Sequence, residues 1–103
     1  MTAHSLSSAV AEKLGIPAFK EYAYYIGSNE VEFAFRQVYL EDDNDRCFKL
    51  MCEYGLLLSI GKLTAIVIAQ HQANGGLYQE EYSCHPSKVA ATRHAILKCI
   101  LEI

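Results

Sequence analysis

The sequence predicts an α+β fold: one domain over residues 1–103, with a mostly antiparallel sheet of three to five strands and helices packed on it, like an α/β/α sandwich. Three observations predict it. At 103 residues the chain can build one core but not two. Stretches with helical periodicity open and close the sequence, and stretches rich in β-branched and aromatic residues lie between them. Turn and cap residues punctuate the joins, with no linker, repeat or low-complexity tract.

The elements follow in order. "SLSSAVAEKLGIP" reads as an opening helix, with Leu6, Val10 and Leu14 about one turn apart. Ser5 or Ser7 can cap it, and Gly15 with Pro17 stops it. In "KEYAYYIGSNEVEFAFRQVYL" the turn signal is Gly27-Ser28-Asn29. After it, Val31, Phe33, Phe35 and Tyr39 alternate as a strand does, although Val31, Ala34, Phe35, Val38 and Tyr39 also fit a helical stripe. The aromatic and β-branched content decides for a β-hairpin.

"EDDNDRCFKLMCEYG" predicts a second helix. Asp42, Asp43 and Asp45 offer caps and place negative charge where the helix dipole favours it. Phe48, Met51 and Cys52 form its expected buried stripe, Leu50 and Tyr54 lie on a neighbouring flank, and Gly55 suits the closing position. "LLLSIGKLTAIVIAQHQ" predicts two strands around Gly61-Lys62. The second is apolar on both faces, so Ile66, Val67 and Ile68 are expected in an inner strand covered on both sides. Asn74-Gly75-Gly76 is a hairpin signal, and "LYQEEYSC" then alternates as an outer strand.

The closing helix lies in "HPSKVAATRHAILKCILEI". Pro86 fits its first turn, where a missing N–H has no partner to lose, and Ser83 or Ser87 can cap it. Val89, Arg93, Ile96, Leu97 and Ile100 mark the expected packing face, and Ala90, Ala91 and Ala95 allow close approach.

Chemistry is sparse. A net charge of −3 argues against direct nucleic-acid binding, which needs a basic face. No stretch reaches the ~18 apolar residues of a membrane span. The N-terminal stretch lacks the pattern of a secretory signal, so the four cysteines are expected as free thiols in a reducing cytoplasm. Cys47 and Cys52, like His94 and Cys99, are five apart, about 140° around a helix, which makes a poor chelating pair. No metal site and no cofactor are expected. A calcium loop starting at Asp43 would need glycine and glutamate where Phe48 and Tyr54 stand. No catalytic motif appears, and no catalytic residue is assigned. His71 is the best isolated polar candidate, read as a satisfied structural histidine. The seven tyrosines suit core margins or a protein-contacting face.

Residues 42 to 102 carry a resemblance. An aspartate-led helix leads into two strands and then "HPSKVAATRHAILKCILE", in which Pro86, Ala90, Ala95, Ile96 and Leu97 match a proline-opened, alanine-rich closing helix. "SSAVAEKLGI" adds an opening helix that ends in glycine. The chain thus resembles small bacteriophage α-β-α sandwich proteins, most without assigned activity. Proteins of that size and build include inhibitors of host defence such as anti-CRISPR proteins. The resemblance implies a non-catalytic phage accessory protein acting in the host cytoplasm. Its expected partner is a host protein, a nucleic-acid-handling defence complex in this reading, with a homodimer as the candidate assembly. The charge pattern nominates Glu41, Asp42, Asp43 and Asp45, with Glu80 and Glu81, as the partner-binding residues. The alternative is an oligomeric module that binds a small nucleotide signal.

Overall fold

The computed structural model describes residues 4–26, 32–61, 65–72 and 75–103, and of 23–26 and 32–35 the backbone. Leu6, Val10, Ala11 and Leu14 give the first helix, α1 (Ser5–Leu14), its apolar side. Gly15 ends it at φ 67°, a left-handed conformation that glycine adopts at little cost. Its start departs from the expectation. No serine side chain caps it, and Ser7 instead lies fully buried with its hydroxyl accepting the Glu41 N–H. His4 holds the cap position, and its ring stacks 3.7 Å from Tyr39.

The aromatic stretches do form a hairpin. β1 (Phe19–Ile26) pairs antiparallel with β2 (Glu32–Tyr39), running from Phe19 opposite Tyr39 to Ile26 opposite Glu32. The expected turn at Gly27-Ser28-Asn29, with Val31, lies outside the described residues. The two strands make a sheet of their own and contact chiefly each other. Attachment is at the root. There the Leu40 N–H donates to the Ala18 carbonyl at 3.0 Å, and the Tyr22 hydroxyl donates to Asp43 Oδ2 at 3.2 Å. The radius of gyration, 15.6 Å, exceeds the ~13 Å of a compact chain of this length, as a projecting arm requires.

After the short 3₁₀ turn Leu40–Asp42 comes α2 (Asn44–Tyr54). Asp43 is the cap, accepting the Arg46 N–H at 3.2 Å, and Gly55 closes the helix at φ 65°. The buried stripe is Arg46, Cys47 and Leu50, not Phe48, Met51 and Cys52. Two stripes on this helix are apolar enough to bury. The one that meets Leu40 and the closing helix wins, leaving Phe48 and Cys52 exposed and Met51 half-buried.

β3 (Leu56–Ile60), β4 (Ile66–His71) and β5 (Leu77–Glu81) form an antiparallel sheet in the order β3-β4-β5. The register sets Leu58, Ala69 and Tyr78 in one row and Ile60, Val67 and Glu80 in the next. Val67 and Ala69 are fully buried beneath the closing helix. β4 is therefore the inner strand, but it is not covered on both sides. Ile66 and Ile68 are half-buried, and Leu57 and Leu77 on that same outer face are more than half exposed. Gly75, on the β5 side of the β4–β5 connection, has φ 71°, and its N–H donates to the His71 carbonyl at 2.9 Å. Lys62 and Asn74 lie outside the described residues.

α3 (Lys88–Leu101) is capped by Ser87, whose hydroxyl accepts the Ala90 N–H at 3.1 Å. Pro86 stands just before the cap rather than inside the first turn, and it holds His85 extended. Ala90, Ala91, Ala95, Ile96, Leu97, Cys99 and Ile100 are buried, which is nearly the whole circumference, because α3 lies between the sheet and the other two helices. Val89 is the exception and faces solvent. The Lys13 ammonium donates to the Leu101 and Ile103 carbonyls at 2.7 and 2.6 Å, a cation where the α3 dipole is negative. The result is a small α+β domain whose helices pack on an antiparallel sheet. Among the described residues no helix is long and apolar enough to cross a membrane.

Candidate functional site

The six nominated acids divide into two kinds. Glu41, Asp43 and Glu80 are engaged in the fold. Glu41 Oε1 accepts the Ser7 N–H at 2.9 Å, and its other oxygen lies 3.8 Å from His94 Nε2. Asp43 is buried as the α2 cap. Glu80 points to the helix side of the sheet, where it pairs with Lys98 and, at 3.3 Å, with His85 Nε2. Burial pushes the Glu80 carboxyl up, but the hydrogen bonds and charges of Lys98 and His85 outweigh that and hold it below 4.5. Asp42, Asp45 and Glu81 remain at the surface, Asp45 in an exposed pair with Lys49 at 3.0 Å.

One acid of each cluster, Glu41 and Glu80, is linked to the other through a pair of histidines. His85 and His94 lie with ring centroids 4.5 Å apart, so a continuous polar seam runs Ser7, Glu41, His94, His85, Glu80, Lys98. His94 Nδ1 contacts the Ala90 carbonyl at 2.9 Å, which fixes the ring. The seam's hydroxyl, that of Ser7, is fully buried and accepts the Glu41 N–H, and no thiol among the described residues is placed in the seam. Cys47 is buried and pushed up to about 12 by desolvation, its thiol donating to the Leu40 carbonyl. Burial also raises Cys99, and Cys84, though exposed, reaches only Glu81 at 3.9 Å. All four cysteines, each among the described residues, are free thiols. No group of three metal-ligating side chains occurs among the described residues.

His71 sits half-buried at the end of β4 with Nδ1 enclosed and unpartnered, and its backbone closes the turn to β5. Tyr54, Tyr78 and Tyr82 pack on the core, Tyr39 is half-buried, and Tyr22 is the exposed one of these five. For most of them the core-margin role holds. The side chains of Tyr24 and Tyr25 lie outside the described residues.

The feature that sequence reasoning missed is a groove of about 310 Å³ between α2, α3 and the β3 edge. Cys47, Phe48, Met51, Leu58, Ile60 and Ile96 make its wall, with Val89 at the rim. Phe48, Ile60 and Val89 are 59%, 55% and 52% exposed, so three large apolar side chains face water around one depression. Periodicity alone places Val89 and Phe48 in buried stripes, whereas both stand exposed here. Their failure to fit the core was the available signal, but it takes three separate segments to make the groove. At its polar end Arg93 donates to the Glu41 carbonyl and to Asn44 Oδ1, and Lys88 stands 5.1 Å over the Tyr82 ring.

No protein-family model, curated protein or solved structure matches this chain.

Proposed function

We propose that this domain is a non-catalytic binding protein that engages a partner protein through the α2–α3–β3 groove. The single observation that carries the reading is the cluster of Phe48, Ile60 and Val89, each more than half exposed around one apolar hollow. Exposed apolar area concentrated this way is unfavourable in water unless something covers it. A volume near 310 Å³ suits one or two large side chains of an inserted segment. Asp42 precedes α2 and Asp45 lies in its first turn, which favours a partner segment that carries lysine or arginine beside its apolar anchor. The phage-family resemblance extends the proposal to a host nucleic-acid-handling defence complex as the partner.

The test compares capture from a bacterial lysate by the wild-type chain, Phe48→Asp, and the double variant Asp42→Lys/Asp45→Lys. Asp43 is left alone because reversing a buried cap would unfold α2. Circular dichroism should be unchanged in all three, since the altered side chains are exposed. The expected result is a partner retained by the wild type, lost with Phe48→Asp and weakened by the lysine pair. Equal retention by all three chains would end the proposal.

A second reading uses the same groove for a small apolar ligand, because its volume lies at the lower end of ligand sites. A melting-temperature rise with apolar compounds, absent in Phe48→Asp, would favour it. A nucleotide signal fits less well, as the wall offers carbon where a nucleotide needs donors.

A further inference from the structure

We propose that a second hollow, bounded by Ile16, Pro17, Lys20, Arg46, Lys49 and Leu50, binds a small organic anion: a carboxylate attached to an apolar group. Three cations from two elements, β1 and α2, meet there in a chain whose net charge is −3, so the positive charge is local rather than general. Arg46 is the anchor. It is 7% exposed, its backbone is held by the Asp43 cap, and Nη2 donates to the Pro17 carbonyl in the α1–β1 connection. Nη1 is enclosed and has no hydrogen-bond partner. A buried guanidinium is costly unless an anion answers its charge, and a carboxylate seated in the hollow that Arg46 lines is the group that best does so.

The charges around it are not spent. Asp43 gives one oxygen to the Arg46 N–H and the other to the Tyr22 hydroxyl. Among the described residues neither Arg46 nor Lys20 forms an ion pair, and the Lys49–Asp45 pair is an exposed one, easily exchanged. Ile16, Pro17 and Leu50 supply the apolar part of the lining. The hollow measures about 260 Å³, above the ~150 Å³ that holds a benzene ring, so a ring with one carboxylate fits. Phosphate esters fit less well, because the nearby Gly15 and Ile16 N–H groups both go to the Ala11 carbonyl and leave no backbone cradle.

The test is an amide-resolved NMR titration of the full chain with benzoate, with acetate and benzamide as comparators at constant ionic strength. Benzoate should give saturable shifts at Ile16, Lys20, Arg46, Lys49 and Leu50 in the low millimolar range. Acetate, which lacks the ring, and benzamide, which lacks the charge, should each bind at least about tenfold more weakly. Lys20→Ala and Lys49→Ala remove exposed side chains and leave the fold intact, and each should weaken benzoate about fivefold. Three results would overturn the proposal: no saturable shift, a comparator equal to benzoate, or both lysine variants binding as the wild type does.

Discussion

Glu80 shows how much a single side chain can do in this fold. Its neighbour across the sheet is Val67, and its carboxylate lies under α3 against Lys98 and His85. Desolvation alone would push that carboxyl up, but the hydrogen bonds and charges of Lys98 and His85 bring it below the ordinary glutamate value. The direction fixes the sign of the pH dependence. A carboxyl depressed in the folded state adds stability that is fully present above its unfolded value and is lost as pH falls through the folded value. Glu80→Gln should therefore be less stable than the wild type at neutral pH, and the two should converge as the pH is lowered into the acid range. Urea midpoints measured across that range check it; parallel curves would mean that the ion pairs contribute nothing. Cys47 makes the opposite point: a thiol pushed up to about 12 by burial packs as a small apolar group rather than as a nucleophile.

At the scale of elements, α1 is capped from a distance. The Ser7 N–H is one of the donors a helix start leaves unsatisfied, and Glu41, thirty-four residues away, accepts it while its own N–H goes to Ser7 Oγ. The reciprocal pair resembles a capping box built between two segments. Ser7→Ala should cost about 1–2 kcal/mol, because it strands the Glu41 N–H in a covered site. That corresponds to a melting temperature roughly 4–16 °C lower, with faster amide exchange confined to α1 and the 3₁₀ turn. A shift below one degree would remove Glu41 from the structural role assigned to it. The same pair shows where sequence reading stops. Gly15, Gly55, Asp43 and Ser87 act locally, so the helix ends they set were legible. Ser7, Glu41 and Glu80 carry the same chemistry as surface residues, and only non-local packing tells them apart. On α2 two apolar stripes competed, and no local rule selects the one that faces Leu40. The division into two sheets was likewise invisible, since antiparallel pairing of β1 with β2 says nothing about where that hairpin docks.

The whole molecule consists of a core and an appendage. The buried cluster draws on α1, α2, α3, β3 and β4 through Val10, Leu50, Leu97, Leu56 and Val67, whereas none of the hairpin side chains among the described residues belongs to it. A two-stranded hairpin alone in water is marginal, so this one depends on its root: the His4–Tyr39 stack, the Phe19–Tyr39 contact and the Tyr22–Asp43 bond. Dependence in the other direction is weak. Ala18 and Leu40 are already joined by a 3.0 Å backbone bond, so a short Gly-Ser turn between them can replace residues 19–39 without moving either end. The excised chain should keep the amide spectrum of β3–β5 and α3 and melt in one transition, lower by several degrees for the lost root contacts. Leu97→Ala, by contrast, should cost about 2–5 kcal/mol and loosen α1, α2, β4 and β5 together, because Leu97 is fully buried in the helix against which those four pack. If excision unfolds the chain while Leu97→Ala leaves it near wild-type stability, the hairpin and not α3 organises the fold, and the groove beside α3 loses the rigid wall that partner binding requires.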